Sequence, residues 1–333
     1  MKFYILTSTD LPSLVRHKET IPTEEQVVII NSLDDDYVRS ASEYCKENNI
    51  TYHITESDGT AGTGKNSVME KFLETDEEYM VQVDGDDEIT KYGYEYYKSI
   101  ADLDTPPDLL VLHYQWQRYA KSFSQNKKTG EVKVSEWARM CGWIRKATAR
   151  RELYSPIHNS NYLRFLQTQR MTGPEPKPRE YQYGNEDPET LKRWAEARCK
   201  WEHFIWNHAV GQPNGEIRDT FSRMVFYSRK SAELVHFTNE LKIGEDTIAF
   251  LEMRLHHVNG LINIGRHTEL HEPTYIYMYD SMGVSREEQG HSDDDLHSSS
   301  SHEWVVTLWN WVTKHNLIEK YKSAENLQFK NYE

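Results

Sequence analysis

The stretch that decides the fold is EYMVQVDGDD, residues 78–87, in which an apolar run ends in three aspartates around a glycine. The run from Tyr79 to Val83 has the length and residue types of a buried strand. Paired carboxylates directly after such a strand can hold Mg²⁺ or Mn²⁺, because both are hard cations that prefer oxygen ligands. An acidic turn without a ligand has the same sequence, so this stretch alone leaves both interpretations open.

Alternating strands and helices surround this stretch within residues 1–112. Continuous apolar segments predict strands at 3–6, 26–30, 50–54 and 109–116, and amphipathic spacing predicts helices at 36–48 and 66–74. This alternation indicates an α/β fold with a mainly parallel sheet covered on both faces. Ligands of such sheets bind at the carboxyl ends of the strands. Those ends are polar or acidic here, at 7–10, 31–35 and 84–87.

The pattern changes in the middle of the chain. Residues 126–130, NKKTG, predict a hairpin turn between the strand at 109–116 and a short strand at 132–134. Residues 150–216 are rich in Arg, Tyr and Trp, contain a proline-broken run and predict one helix around 189–208. We interpret residues 150–216 as an insertion into the α/β fold.

An orderly pattern returns from residue 231 onward. Residues 247–257 predict an apolar helix, and residues 273–279 predict a last strand. Residues 292–301 are a polar low-complexity segment typical of a loop. Residues 303–317 predict a Trp-rich helix that packs back on the rest of the chain.

The composition is that of a globular protein. Hydrophobic residues make up 37% and charged residues 28% of the 333 residues. No window approaches 18 uninterrupted apolar residues and the first residues lack the features of a signal peptide, so we expect no membrane contact and a cytoplasmic location. Cys45, Cys141 and Cys199 are far apart and form no CxxC pair, which argues against a disulfide framework or a zinc site.

The charge is unevenly distributed along the chain. The net charge is −14, yet residues 113–230 hold 22 Lys and Arg against 12 Asp and Glu, about +10. A basic segment inside an acidic protein favours a polyanionic partner that docks on it. Internal compensation between neighbouring parts of the fold explains the same distribution, and charge alone does not separate the two.

Aromatic residues are interleaved with these basic residues. Six of the nine tryptophans lie in or beside the insertion: Trp116, Trp137, Trp143, Trp194, Trp201 and Trp206. The cations among them include Arg145, Lys146, Arg150, Arg151, Arg164 and Arg170. Cations that neutralise phosphates and aromatics that stack on bases are what nucleic-acid binding requires. The alternative is that the tryptophans form the core of the insertion, which we expect for at least half of them.

A second acidic motif, Gly244-Glu245-Asp246, opens the predicted helix at 247–257. Acidic residues are favoured in the first turn of a helix by the helix dipole, so a purely structural role explains the motif. A carboxylate beside a hydroxyl acceptor is also the expected general base for deprotonating a nucleophile. Taken singly, the motif favours the structural interpretation.

A third motif competes with these two. Residues 59–66, GTAGTGKN, match the GxxxxGK start of a phosphate-binding P-loop. Position 66 is Asn where the P-loop needs Ser or Thr, and the acidic stretch follows after only about 20 residues. These departures argue against a nucleotide triphosphatase, although contact between a glycine-rich loop and a diphosphate stays possible.

Taken together, the motifs resemble glycosyltransferases of the family-2 type with the GT-A fold. The resemblance rests on residues 62–66 followed by an amphipathic helix, on the DxD-ending strand at 78–87, on Gly244-Glu245-Asp246, and on the strand and loop at 275–286. Four motifs in this order are more specific than any one of them. The resemblance covers about residues 1–112 and 220–290.

The resemblance implies a role for individual residues. Asp84 and Asp86 would contact the metal, Mn²⁺ or Mg²⁺, with Asp84 also at the ribose and diphosphate of a UDP-sugar donor. Asp246, with Glu245 beside it, would be the catalytic base of an inverting single displacement. The remaining positions are Thr7, Asn31 and Asp34 for the nucleotide base, Gly64, Lys65 and Asn66 for the donor, and His271 as a third metal ligand.

Three departures from the family pattern stand out. Lys65 replaces the usual Arg, and the segment from Asn31 to Asp34 replaces the usual acidic-Gly-Ser sequence. The two acidic motifs are also further apart than usual, which is consistent with the insertion. The base pocket is therefore the least secure part of the resemblance.

The resemblance also implies a division of the chain and an acceptor. Residues 1–112 would be the nucleotide-sugar-binding half of a Rossmann-like GT-A domain, and 113–230 a strand and hairpin with an inserted, mostly helical, basic and aromatic acceptor-binding region at about 150–216. Residues 231–290 would be the acceptor and catalytic half, and 291–333 a polar loop and C-terminal helix. The sequence as a whole resembles DNA-modifying transferases of T-even-like phages, which glycosylate 5-hydroxymethylcytosine, so the favoured acceptor is double-stranded DNA at 113–230, in an infected bacterial host. A polysaccharide or protein acceptor, and a non-catalytic nucleotide-binding or nucleic-acid-binding protein, are the alternatives.

Overall fold

The computed structural model of the chain describes a defined set of residues. These are 1–112, 223–241, 244–267, 273–278, 299–322 and 329–332, eight positions between 189 and 204, and the backbone of four short strands between 116 and 142.

Fourteen strands are found in the described part of the chain. In chain order they are β1 (Lys2–Thr7), β2 (Gln26–Ile30), β3 (Thr51–Ile54), β4 (Tyr79–Asp84), β5 (Glu88–Ile89), β6 (Leu109–Leu112), β7 (Trp116–Arg118), β8 (Ser122–Gln125), β9 (Val132–Ser135), β10 (Cys141–Gly142), β11 (Arg223–Ser228), β12 (Ile264–His267), β13 (Tyr275–Met278) and β14 (Lys330–Tyr332).

Eight α-helices are described. They are α1 (Leu11–Arg16), α2 (Asp35–Glu47), α3 (Ala61–Leu73), α4 (Lys91–Ala101), α5 (Arg229–Leu234), α6 (Glu245–Val258), α7 (Ser299–Lys314) and α8 (Leu317–Lys322). The described positions between 189 and 204 are also helical, as predicted for that segment. None of the described helices is both long enough and apolar enough to cross a bilayer.

The main sheet has eight strands in the order β14-β12-β6-β11-β4-β1-β2-β3. All neighbouring strands are parallel except β11, which runs antiparallel to both β4 and β6. The predicted α/β class with a mainly parallel sheet is confirmed. Because β11 is reversed, its first residue lies at the edge where β4 and β6 end.

Helices cover both faces of the sheet, as the continuous apolar strands require. Along β2, Val27 and Ile29 belong to one buried cluster and Val28 and Ile30 to another. The first cluster is completed by residues of α3, α6, α7 and α8, and the second by residues of α2 and α4. The C-terminal helices therefore pack on the core, in agreement with the prediction for 303–317.

A second sheet, in the order β10-β7-β13-β5, lies beside the acidic stretch. The segment 109–116, predicted as one strand, is divided, so that β6 belongs to the main sheet and β7 to this one. The predicted hairpin partner was also wrong, since β9 pairs with β8 rather than with residues 109–116. Apolar periodicity does not reveal where a chain passes from one sheet to another.

The glycine-rich segment at 59–66 is mostly helical rather than a loop. Helix α3 begins at Ala61, five residues before the predicted start, with the Thr60 side chain capping it through the amide of Thr63. Gly62 lies in its first turn, where a Cβ would be 2.3 Å from the carbonyl oxygen of Thr238. The close approach explains the glycine. A P-loop needs a loop at these glycines, whereas Gly62 and Gly64 are helical here, which argues against that motif.

Candidate active site at the carboxyl end of the sheet

Three carboxylates converge where β4 ends. Asp84, Asp86 and Asp87 each offer one oxygen, and these oxygens all lie within 4.8 Å of one another. Gly85 brings the turn against β1, since its amide donates a hydrogen bond of 2.6 Å to the carbonyl of Leu6. A Cβ at this position would lie 2.6 Å from that same oxygen, so only glycine fits.

Arg223 is a functional candidate that the sequence analysis missed. It is the first residue of β11, and its Nη1 lies 2.7 Å from Oδ2 of Asp84 and 2.8 Å from Oδ2 of Asp87. The Arg223 side chain is 14% exposed. The run RMVFYS at 223–228 predicts a strand. Its sequence does not show that the antiparallel pairing of this strand places Arg223 beside Asp84 and Asp87.

Tyr275 connects the second sheet to this cluster. Its hydroxyl donates a hydrogen bond of 2.7 Å to Oδ2 of Asp87 and accepts one of 3.2 Å from the amide of Asp84. It also accepts a hydrogen bond from Nη1 of Arg223. Strand β13 places Tyr275 here because it pairs with β5, the strand that directly follows Asp87.

Lys65 joins the second acidic motif to the body of the fold. Its Nζ donates hydrogen bonds of 2.8 Å to Oε1 of Glu245 and 2.6 Å to Oδ1 of Asp246. Both acids lie in the first turn of α6, as the structural interpretation of the motif requires. Lys65 and Glu245 are buried, whereas the Asp246 side chain is 35% exposed. The motif therefore places two acids in the first turn of its helix, whose N-cap Gly244 makes no side-chain hydrogen bond, and also presents a carboxylate to solvent.

The two acidic motifs are close enough to influence each other electrostatically. Burial alone would lower the pKa of Lys65, but the carboxylates of Asp246, Glu245 and Asp84 raise it well above its ordinary value. Burial tends to raise the pKa of Asp84, but the charges of Arg223 and Lys65 hold it below its ordinary value. Residues from β4, α3, β11 and α6 therefore form one charged site.

Two buried carboxyl groups of this site have raised pKa values. Burial raises the pKa of Asp87 to about 8, with Asp86 and Asp84 adding to the effect and Arg223 opposing it. Burial likewise raises the pKa of Glu245, against the influence of Lys65. Burial disfavours the charged form of a carboxyl group, and nearby carboxylates add to that effect.

A divalent cation fits this donor set. Three carboxylates and the single guanidinium of Arg223 carry a net charge of −2 when all are ionised. Oxygen ligands are those that Mg²⁺ and Mn²⁺ prefer. The observation that decides the fit is geometric, because the oxygens of Asp84, Asp86 and Asp87 all lie within 4.8 Å of one another.

The residues predicted for the nucleotide base lie at the ends of β1 and β2. The Thr7 hydroxyl is hydrogen-bonded to that of Tyr37, and the Asn31 amide donates to the Thr55 hydroxyl at 2.9 Å and the Glu56 carbonyl at 2.8 Å. Asp34 caps α2 through its carboxylate. The side chains of Thr7 and Asn31 are thus hydrogen-bonded to other protein groups, and the Asp34 side chain caps a helix.

The donor-binding residues predicted in α3 differ from one another in their surroundings. Gly64 packs against the side chains of Leu6 and Asn31. The Asn66 amide donates to the carbonyl of Phe237 at 2.7 Å and its oxygen accepts from the Phe237 amide at 2.9 Å. Asn66 therefore ties α3 to the segment after α5.

Several predicted residues lie outside the described part of the chain. These are His271, the basic residues Arg145, Lys146, Arg150, Arg151, Arg164 and Arg170, and the side chains of Trp116, Trp137, Trp143, Trp194 and Trp206. Trp201 is described, and it is buried in the core beside Phe204. For Trp201 the structural alternative to base stacking is confirmed.

No protein-family model and no curated protein sequence matches this chain. Among solved structures it is similar to S. aureus TarS 1–349 in complex with UDP-GlcNAc, with a TM-score of 0.43 and 12% identity over 97% of this chain and 72% of that one. TarS 1–349 in complex with UDP gives a TM-score of 0.40 at 13% identity, over 97% and 71% of the two chains. Against a longer S. aureus TarS chain the match covers 84% of this chain and 37% of that one, with a TM-score of 0.39 and 13% identity.

Proposed function

We propose that the chain is a metal-dependent, inverting glycosyltransferase that moves a sugar from a UDP-sugar to a hydroxyl acceptor. The observation that carries the proposal is the meeting of two acidic motifs, about 160 residues apart, at the carboxyl end of a mainly parallel sheet. One motif offers three carboxylates to a cation beside the strand end where ligands of such sheets bind. The other presents a partly exposed carboxylate that can accept a proton.

Asp84, Asp86 and Asp87 would hold the cation, and His271 would add a ligand. A cation held there would act as a Lewis acid and would neutralise charge on the diphosphate leaving group. Arg223 adds positive charge beside Asp84 and Asp87 at distances of 2.7 and 2.8 Å. This arrangement suits a reaction in which a nucleoside diphosphate departs with its bonding electrons.

Asp246 is the residue best placed to act as the base. Lys65 holds Oδ1 at 2.6 Å and thereby fixes the carboxylate, while 35% of the side chain is exposed to an incoming molecule. In the transfer, the Asp246 carboxylate takes the proton of the acceptor hydroxyl while the oxygen of that hydroxyl forms a bond to the anomeric carbon of the sugar. The bond from that carbon to the diphosphate oxygen breaks, so that UDP leaves and the configuration inverts. Glu245 is buried and positions Lys65.

Release of UDP from a panel of UDP-sugars in the presence of Mn²⁺ tests the reaction class. We expect release from at least one donor, abolished by chelation and restored by added Mn²⁺. Binding of UDP without turnover of any donor under any acceptor condition would instead support the non-catalytic nucleotide-binding alternative.

The acceptor that we propose is 5-hydroxymethylcytosine in double-stranded DNA. The support is the charge of about +10 on residues 113–230, together with the tryptophans of that segment other than Trp201. Mass spectrometry of nucleosides after incubation with hydroxymethylated DNA tests it. A pentose or hexose mass on the modified base is the expected result, whereas donor turnover without this adduct would point to a polysaccharide or protein acceptor.

A further inference from the structure

Arg223 lies where a cation bound by the acidic cluster would act. One nitrogen, Nη1, bridges Oδ2 of Asp84 and Oδ2 of Asp87 at 2.7 and 2.8 Å. Both residues belong to the group of three whose oxygens lie within 4.8 Å of one another. The side chain therefore supplies a positive charge to two of the three carboxylates that a divalent cation would use.

The position of Arg223 is fixed by more than this ion pair. It starts an interior strand of the main sheet, and its guanidinium lies 4.9 Å from the centre of the Tyr275 ring and 5.9 Å from that of Tyr277. The Tyr275 hydroxyl accepts a hydrogen bond from it. With 14% of the side chain exposed, the guanidinium cannot swing freely into solvent.

We propose that Arg223 is a built-in counter-ion that lowers the affinity of the Asp84–Asp86–Asp87 cluster for a divalent cation. A guanidinium within hydrogen-bonding distance of two ligands repels an incoming cation and reduces the negative charge that attracts it. The proposal rests on the cation site of the proposed function. It assigns to Arg223 a tuning role that does not depend on which sugar or acceptor is used.

Among the described residues, the other cations near the cluster do not replace this role, and Arg16 reaches it only through the backbone carbonyl of Asp86 at 3.5 Å. Lys65 interacts with Asp84 only at longer range, because its Nζ is hydrogen-bonded to Glu245 and Asp246. Asp246 influences Arg223 in the direction that keeps the guanidinium charged. Within the described residues, Arg223 is the only cation with an ion pair to Asp84 or Asp87.

Calorimetric titration of the full chain with MnCl₂ at pH 8.5, without nucleotide, tests the proposal. Arg223→Met removes the charge, Arg223→Gln removes the charge but keeps a hydrogen-bond donor, and Arg223→Lys keeps the charge. Arg266→Met is a matched control, because Arg266 contacts Asn331 on β14 and its loss changes the net charge equally. Circular dichroism verifies that each variant is folded. If Arg223→Met does not fold, Arg223→Gln is used as the neutral variant.

We expect the dissociation constant for Mn²⁺ to fall at least tenfold in the neutral variants and to change less than threefold in Arg223→Lys and Arg266→Met. Unchanged or weaker binding in a folded neutral variant would overturn the proposal. UDP release by the wild-type chain, measured on the same preparation, separates this failure from a failure of the proposed function. If the wild-type chain releases UDP but the neutral variants bind Mn²⁺ no better than wild type, only the role of Arg223 is wrong and the proposed function stands.

Discussion

Lys65 donates a hydrogen bond of 2.6 Å from Nζ to Oδ1 of Asp246, across 181 residues of sequence. This contact ties the middle of α3 to the first turn of α6 and places the second acidic motif beside the first. Glu245 holds the same nitrogen at 2.8 Å, so that one buried ammonium group faces two carboxylates. The geometry makes Lys65 a positioning residue for Asp246.

Lys65→Met is expected to lower the free energy of unfolding by about 3 kcal/mol, because it leaves the buried Glu245 carboxylate without its cation. UDP release should fall at least a hundredfold, since Asp246 loses the group that fixes it. Lys71→Met on the same helix is the control, because its ion pair with Glu74 is exposed and is expected to contribute about 0.5 kcal/mol or less. Urea denaturation and a UDP-release assay measure the two effects, and equal behaviour of the two variants would contradict the role of Lys65.

Gly85→Ala should disrupt the acidic cluster. The added Cβ would lie 2.6 Å from the carbonyl oxygen of Leu6 and 2.9 Å from Cβ of Thr7, so the turn must move away from β1. We expect a loss of about 1–3 kcal/mol of stability and a weakening of Mn²⁺ binding. Gly260→Ala is a useful comparison, because nothing lies within 4 Å of its Cβ position, although its φ of +72° disfavours alanine. Gly260→Ala should lower stability without changing the affinity for Mn²⁺. Unchanged Mn²⁺ binding in Gly85→Ala would show that the position of the turn at Gly85 does not matter for the cation site.

Tyr275→Phe removes the hydroxyl shared by Asp84, Asp87 and Arg223. Because the three partners are largely buried, the loss should cost about 1–3 kcal/mol and reduce the rate of UDP release. Tyr79→Phe, on the strand that leads into the cluster, should change neither the stability nor the rate of UDP release by much. Chemical denaturation of both variants measures the difference, and an effect of Tyr79→Phe equal to that of Tyr275→Phe would argue against a specific role for the shared hydroxyl.

His17 should make stability depend on pH below neutrality. Burial lowers the pKa of His17 to about 4, with the carbonyl of Gly85 and the charge of Arg16 as smaller influences. Between pH 6.5 and 4 the unfolded chain therefore binds more protons than the folded one, and stability present at pH 7 is lost as the pH falls.

Between pH 7.5 and 5.0 we expect the wild-type chain to lose about 2 kcal/mol more than His17→Gln does. The exposed His236 provides the control, since His236→Gln should follow the wild-type chain. Urea titrations at the two pH values measure the difference. Parallel losses in the wild-type chain and in His17→Gln would contradict a buried, neutral His17.

Local sequence patterns predicted most of the first half of the fold. Strand β2 agrees with the predicted residues 26–30, and helix α2 lies within one residue of its predicted bounds of 36–48. These elements are continuous apolar or amphipathic runs with a clear cap, such as Asp34 before α2. The acidic residues at the carboxyl ends of β1 and β4 also lie where the predicted sheet places them.

The missed features depend on contacts between distant segments. The start of α3 was predicted too late because glycines weaken a helix pattern, whereas the contact of Gly62 with Thr238 stabilises the helix in the fold. Arg223 was not singled out because a basic residue before an apolar run has many possible partners. Only the reversed direction of β11 brings Arg223 to Asp84. Lys65 was predicted to contact the donor, and its buried pairing with α6 has no local signal.

The measurement that tests the central claim most directly compares wild type and Asp246→Asn for both UDP binding and UDP release in the presence of Mn²⁺. Asp246 is proposed as the base and not as a ligand of the cation, so the variant should bind UDP within about threefold of wild type. Its UDP release should fall by at least about a thousandfold, as expected for loss of a general base. Wild-type rates of release in a folded Asp246→Asn variant would contradict the assignment of the base and the meeting of the two acidic motifs in one catalytic site.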